Sequence, residues 1–227
     1  MKRIAVVLII SCFLAMGCAP QLTRGERYVK LYEQKPSTIL VMPPINNTTN
    51  EEAKELLYTS ISVPLAESGY YVISPYLTMD VLKSENTYNS EAFIYAPLTQ
   101  FREKFGADAV IFSVIDTWEK QAFGIRTNIR YIMKSTLTND VLFEKSCDLY
   151  LNMSPNTRLR SKSYDAFDAL FDIAASAVET AVTDHIEAAR KANYYIFNDI
   201  PYGKYHPDYM QDQNVGATAK ELKAIVR

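Results

Sequence analysis

Ala107-Asp108-Ala109-Val110-Ile111-Phe112-Ser113-Val114-Ile115-Asp116-Thr117 is apolar on both faces from Val110 to Ile115, Ser113 the one exception, so it must bury side chains on both of its sides. That pattern belongs to the centre of a sheet covered on both faces. The next stretch reads differently. From Ala122 to Thr138 the residues alternate: Phe123, Ile125, Ile129, Tyr131, Met133 and Leu137 point one way, and Arg126, Asn128, Arg130 and Lys134 the other. This is a half-buried antiparallel strand. Its partner runs from Val141 to Leu151, with Val141, Phe143, Cys147, Leu149 and Leu151 on one face. A two-residue turn at Asn139-Asp140 would put opposite faces together. A three-residue turn from Thr138 to Asp140 pairs Leu137 with Val141, Tyr131 with Cys147 and Ile129 with Leu149, and keeps one buried face, as would an equivalent bulge.

Upstream, Thr38-Ile39-Leu40-Val41-Met42 is a short apolar strand that Pro43-Pro44 ends, because neither proline has an N–H to give. Asn46 to Asn50 is a polar loop, and Thr49 with Glu52 forms a capping box for a helix over 51–68. Pro64 should kink or split that helix, and Gly69 suits the left-handed position after it. Tyr70 to Ser74 is a second strand. Ser74-Pro75 opens a short helix with Tyr76, Leu77 and Val81, 85–92 reads as a loop, and Pro97 opens a further helix closed by Gly106. Downstream of the hairpin, Ser154 to Lys162 is a basic link. The longest helix follows over 163–191, with Phe167, Leu170, Ala174, Ala177, Val178, Ala181, Ile186 and Ala189 as its apolar stripe. After Asn193 comes an aromatic tail, including Tyr194, Tyr195, Phe197, Tyr202, Tyr205 and Tyr209. Such density argues for packing on the domain or on a partner. Beyond Asp212 the chain reads as loosely held, apart from a short last helix near 219–225.

At the other end, Lys2 and Arg3 precede thirteen residues, Ile4 to Met16, that are apolar except for Ser11, and then Gly17-Cys18. Thirteen helical residues span ~20 Å, short of the ~30 Å hydrocarbon core. The segment therefore reads as a removable lipoprotein signal over 1–17, with Cys18 as the lipidated first residue. The usual lipoprotein box has Leu three residues before the Cys, where this chain has Ala15. Residues 18–36 read as a lipid-anchored tether of ~60 Å when extended, in part helical through Tyr28, Leu31 and Tyr32. Residues 37–192 form one α/β domain and 193–227 the tail. Ala19 after Cys18, in place of the Asp that marks inner-membrane retention, points to outer-membrane delivery.

Lys2 and Arg3 are two of the 24 basic residues, so the chain without its signal carries 22 basic against 26 acidic side chains, a formal net of −4. That balance gives no footprint for nucleic acid. Of three cysteines, Cys12 leaves with the signal and Cys18 is acylated, so Cys147 stays unpaired, and its strand position implies burial. No serine elbow, Gly-rich phosphate loop or zinc helix motif is present. The two histidines, His185 and His206, are far apart in the sequence, so no metal site is expected. His185 falls at the edge of the long helix's apolar stripe. Asp108 and Asp116 flank the central strand, where they cap its ends or else line a buried site, Trp118 is core or an interface anchor, and Asp165, Asp168 and Asp172 form a solvated face. No catalytic residues, cofactor or enzyme activity are expected.

Several strings resemble one family. Lys35 to Asn46 resembles its opening strand, and Pro64-Leu65-Ala66-Glu67-Ser68-Gly69-Tyr70-Tyr71-Val72 its first helix-to-strand corner. Pro97-Leu98 with Phe105-Gly106-Ala107-Asp108-Ala109-Val110 resembles the entry to its central strand. Tyr202-Gly203 with His206-Pro207-Asp208-Tyr209 is similar to its closing motif. The family is that of bacterial lipoproteins of unknown function typified by a neisserial surface lipoprotein antigen. The hairpin turn at Thr138-Asn139-Asp140 departs from the Gly-containing turn expected of relatives. The resemblance implies an α/β (α+β) fold: one domain, a mixed sheet of about five strands flanked by helices, like the TolB amino-terminal domain. It also implies an accessory role in an envelope transport or secretion system.

The expected function is thus a non-enzymatic outer-membrane lipoprotein acting through protein contacts. Its partners are the membrane, through the lipid on Cys18, and envelope proteins, and a homo-oligomer is compatible with the hairpin and the tail. The contact surface is expected at Pro43, Pro44, Asn46 and Asn47, and at Tyr202, Tyr205, His206 and Tyr209. The alternatives are a regulator of a peptidoglycan synthase, for which the tether is short, and a small-ligand-binding envelope protein.

Overall fold

A computed structural model of the chain describes residues 21–84, 89–121, 124–152 and 181–226. The signal with Cys18, Phe123, the basic link and most of the long helix, with Asp165, Asp168 and Asp172, lie outside the described residues. The elements are α1 (Arg24–Arg27), α2 (Val29–Gln34), β1 (Thr38–Val41), β2 (Ile45–Asn46), α3 (Glu51–Ser60), α4 (Ser62–Glu67), β3 (Tyr71–Val72), α5 (Pro75–Ser84), α6 (Ser90–Phe93), α7 (Thr99–Phe105), β4 (Ala109–Gln121), β5 (Gly124–Ser135), β6 (Val141–Asn152), α8 (Ala181–Phe197) and β7 (Glu221–Val226).

The sheet is mixed, in the order β3-β1-β4-β5-β6-β7, with β2 also on β4. The β4–β5 and β5–β6 pairs are antiparallel and the others parallel. This is the mixed α/β architecture expected, with seven strands among the described residues in place of about five. Prolines explain β2. Pairing stops at Pro43-Pro44 and resumes past them, with Val41 opposite Ile111 and Ile45 opposite Val114. The prolines interrupt one strand and do not end it.

The central strand is buried on both faces, as its composition demands. Ala109, Ile111 and Ile115 join the larger core beneath α3, α4 and α8. Val110, Phe112 and Val114 join the smaller core with Leu82 of α5, Ile94, Leu98 and Phe101. A bulge then changes the phase: Ile115 faces Ile129, but Thr117 faces Asn128. Asp116 is the extra residue and is exposed. The bulge swings even-numbered Trp118 onto the side of odd-numbered Ile115. There its indole N–H donates to His185 Nδ1 at 2.7 Å.

The β5–β6 hairpin keeps one buried face in a register two residues from the expected one. Ile129 faces Cys147 and Tyr131 faces Lys145, and a bulge lets Lys134 face Val141. The turn is longer than expected. It spans Thr136 to Asp140, closed by Ser135 N–H donating to the Asp140 carbonyl at 2.9 Å. Asn139 takes a left-handed φ of 62°, which stands in for the glycine expected of relatives. Leu137 and Val141 are exposed and do not pair. A shift of two residues preserves the faces, so alternation alone could not fix it.

Helix ends also differ from expectation. Asn50, not Thr49, caps α3, its side chain accepting from Ala53 N–H at 3.0 Å. The helix splits at Ile61, so Pro64 falls in the first turn of α4, where its missing N–H costs least. Part of the expected 85–92 loop is helix α6, capped by Asn89. Gly69 and Gly106 are left-handed, as expected.

The chain ends depart most. Residues 23–34 are docked helix, not tether. A Thr23–Glu26 capping box starts α1, and Tyr28, Leu31 and Tyr32 are buried in the larger core. At the other end, α8 runs through Asn193 to Phe197, past the expected boundary at Lys191. Asn193 is buried there, accepting from Tyr131 O–H at 2.7 Å and donating to the Leu57 carbonyl at 3.1 Å. The expected last helix is strand β7. Leu222, Ala224 and Val226 pack inward while Glu221, Lys223 and Ile225 face out, a period of two that suits the open edge of β6. Chain beyond Asp212 is therefore held, not loose.

Candidate functional site

Two of the sequence motifs meet in space. The Ser68-Gly69-Tyr70 corner receives the Tyr202-Gly203 segment of the tail: Gly203 N–H donates to the Ser68 carbonyl at 2.8 Å, and Tyr205 N–H to the Gly69 carbonyl at 2.9 Å. Tyr70 O–H donates to the Pro201 carbonyl at 2.6 Å. The backbones touch because neither glycine carries a β-carbon. Tyr202 and His206 stack with ring centres 3.6 Å apart, and His206 Nδ1 accepts from Asp208 N–H at 3.0 Å. The Arg24 guanidinium also lies over the Tyr202 ring, 5.3 Å from its centroid.

Behind that joint sits a buried ionic cluster. Arg24 Nη1 donates to Asp212 Oδ2 at 3.0 Å, and its Nη2 to the Asn198 carbonyl at 2.7 Å. Asp199 Oδ2 accepts from Tyr28 O–H and from Lys145 Nζ, both at 2.6 Å. Asp199 Oδ1 accepts from Thr218 N–H at 3.0 Å, and Lys145 also donates to the Thr218 hydroxyl. Lys145 is fully buried. Burial pulls its ammonium below the usual lysine range, and Asp199 opposes that pull. Burial also raises the Tyr28 phenol, with Asp199 adding to the rise. Two cations and two carboxylates thus balance inside the protein. They join α1, β6, the end of α8 and the tail.

The cluster was only half visible in the sequence. Lys145 stands on the inward face of β6 between Phe143 and Cys147, and a lysine in an apolar alternation signals a buried partner. Nothing local to it named Asp199 or Arg24. Cys147 lies beside it, and burial pushes its thiol up to about 12.

The first predicted surface divides. Pro43 and Pro44 are buried, and the Pro43 carbonyl accepts from the Ser90 hydroxyl at 2.5 Å. Asn46 organises its own loop, donating to the Asn50 carbonyl at 2.7 Å and accepting from the Thr48 hydroxyl at 2.8 Å. Exposed Asn47 donates to Asp116 at the β4 bulge, at 2.9 Å. Beside this loop is a shallow cavity of about 180 Å³ lined by Pro44, Ile45, Lys54, Asn89, Ser90 and Glu91. It is below the ~300 Å³ at which ligand pockets begin. In the second predicted surface, Tyr205 is exposed, Tyr202, His206 and Tyr209 are half-buried, and Tyr202 and His206 belong to the joint.

Asp108 caps the entry to the central strand. Its Oδ2 accepts from Ser37 N–H at 3.0 Å, the Ser37 hydroxyl at 2.9 Å and Thr38 N–H at 3.1 Å, while Arg102 reaches Oδ1 at 3.2 Å. Burial raises this carboxyl, but the donated hydrogen bonds and Arg102 outweigh it, and the group sits below the usual aspartate range. Its chemistry is that of a cap.

Exposed apolar side chains lie elsewhere among the described residues, on α5 and on the segment after α6. Tyr76 is 80% exposed, Leu77 65% and Tyr95 83%. Val81 continues the α5 face one turn beyond Leu77, and Tyr71 on edge strand β3 is exposed as well.

The fold is that of a mixed α/β protein, and in this chain the 201–205 segment closes over the first helix-to-strand corner. The family is specific. The chain belongs to the family described as "Putative lipoprotein GNA1162-like", whose profile matches residues 27–142. It is 27% identical over 111 residues to "Putative lipoprotein NMB1124/NMB1162" of Neisseria meningitidis serogroup B (strain ATCC BAA-335 / MC58), a match covering 48% of this chain and 52% of that one. The match thus spans about half the length of that curated relative. Among solved structures, lipoprotein GNA1162 from Neisseria meningitidis is similar at 18% identity and a TM-score of 0.48, covering 63% of this chain and 100% of that one. The LpoB C-terminal domain from Salmonella enterica is similar at 14% identity and a TM-score of 0.34, covering 48% and 79%.

Proposed function

We propose that this chain is an envelope lipoprotein, anchored to the outer membrane by lipid on Cys18, that serves a transport or assembly system through protein contacts and carries out no catalysis itself. Membership in a lipoprotein family supports the anchor. The observation that carries the contact role is the exposed apolar face of Tyr76, Leu77, Val81 and Tyr95. Large apolar side chains held in water on a folded body mark a docking surface. Arg24 with Asp212, and Lys145 with Asp199, form ion pairs in the interior. That supports a structural use of them in preference to a reactive one.

The same reading accounts for the short leash. With 23–34 docked, the chain from Cys18 to the body is a few residues long. A regulator of a peptidoglycan synthase has to reach into the wall, and this arrangement does not favour it.

The test is photo-cross-linking in cells from a reactive residue placed at Leu77 in the full acylated protein. Adducts with envelope proteins, lost when Tyr76→Ser and Val81→Asp are added on the same face while the fold is kept, are expected. Adducts with none would contradict the contact role. Capture of a peptidoglycan synthase would favour the regulator reading instead.

A further inference from the structure

We infer that the end of the domain formed by Leu22 and Val215 rests against the membrane leaflet that holds the Cys18 lipid. The inference rests on the anchor proposed above and adds an orientation to it.

The argument starts from chain length. Only Ala19 and Pro20 separate Cys18 from Gln21. Three peptide steps reach at most ~11 Å. The headgroup zone on one side of a bilayer is itself ~6 Å deep. The first described residues therefore cannot stand far clear of it.

Those residues are also pinned to the body. Thr23 forms an antiparallel bridge with Gly216. Arg24 N–H donates to the Val215 carbonyl at 2.8 Å, and Ala217 N–H to the Leu22 carbonyl at 2.8 Å. Gln21 Nε2 donates to the Ala217 carbonyl at 2.9 Å. One residue on, Arg24 enters the buried cluster through Asp212. The bridge and the cluster hold Gln21 to Arg24 against the fold, so the short leash delivers this end to the lipid.

That end carries the side chains such a neighbour suits. Leu22 is 45% exposed and Val215 47% exposed, on adjacent strands of the bridge. Buried against acyl-chain carbons or the ester region, each would leave water. The occupant is the bilayer itself, since the chain delivers this end to it. The face of Tyr76, Leu77 and Tyr95 lies on different elements of the fold and stays available to a protein.

The test uses the full acylated protein in vesicles of phosphatidylethanolamine and phosphatidylglycerol, with and without brominated acyl chains. An environment-sensitive fluorophore is placed at Val215→Cys, at Leu22→Cys or, as reference, at Tyr95→Cys, and the native Cys147 is buried. Intact mass first establishes that Cys18 carries acyl chains. Bromine quenching severalfold stronger at positions 22 and 215 than at 95 is expected. Equal quenching at all three positions, with Cys18 acylated, would overturn the orientation and leave the anchor standing. A chain without acyl mass on Cys18 would overturn both.

Discussion

Gly203 lies so close to Gly69 that a β-carbon built on Gly203 would fall 2.5 Å from the Gly69 carbonyl oxygen and 2.7 Å from its carbonyl carbon. Backbone cannot yield there, because Ser68 and Gly69 both accept tail hydrogen bonds. Gly203→Ala should lower stability by ~2–3 kcal/mol. Gly69→Ala should cost more, since its φ of +86° is strained for any side chain and its β-carbon would meet His206 N at 2.4 Å. Denaturant midpoints at unchanged slope would measure both.

The ion cluster makes a second prediction. Asp199→Ala strands Lys145, Tyr28 O–H and Thr218 N–H at once. It should cost ~3–5 kcal/mol, as breaking a buried pair does. Lys145→Met leaves Asp199 with its other donors and should cost less. The double variant should fall short of the summed losses by ~1–3 kcal/mol. Additive losses in urea titration would mean the two side chains act independently.

Asp108 should give stability a pH dependence. Its carboxyl is lower in the folded chain than in the unfolded one, where an aspartate titrates at about 3.9. A depressed acid contributes fully above the unfolded value and loses the contribution as pH falls through the folded one. The stability gap between the native chain and Asp108→Asn should therefore be constant at neutral pH and shrink below about pH 4. A gap that grows in acid would contradict the capping role.

Cys147 should be silent while the protein is folded. With its thiol at about 12, roughly one molecule in ten thousand is thiolate at pH 8. A thiol-alkylating reagent should label it only as the chain unfolds, in step with loss of tertiary signal. Rapid labelling of the native protein would place the thiol at the surface.

The sheet was legible because its signals are local. Residues 110–115 are apolar on both faces, and the strands after them alternate, so the central strand and the hairpin could be read directly. The exact register could not be. A shift of two residues costs no change of face, and the turn was settled by Asn139 accepting a left-handed conformation. The bulge at Asp116 was equally silent, though it decides that Trp118 meets His185. At the chain ends, pairing partners are distant: Arg24 meets Asp212, and β7 completes an edge left by β6. Composition suggested a tether and a loosely held chain beyond Asp212, whereas long-range ion pairs and a vacant strand edge order both. The closing motif read as a contact surface; two of its four rings, Tyr202 and His206, also stack in the joint with the Gly69 corner, while Tyr205 is exposed.

The anchor at Cys18 underlies the rest of the functional account. Its most direct test is the intact mass and amino-terminal identity of the protein extracted from envelope membranes, beside a Cys18→Ser variant. The account predicts a chain that begins at Cys18, carries acyl chains and partitions with the outer membrane, and a variant that is neither cleaved there nor acylated. A mature chain that begins elsewhere, bears no lipid and is released in the soluble fraction would contradict it.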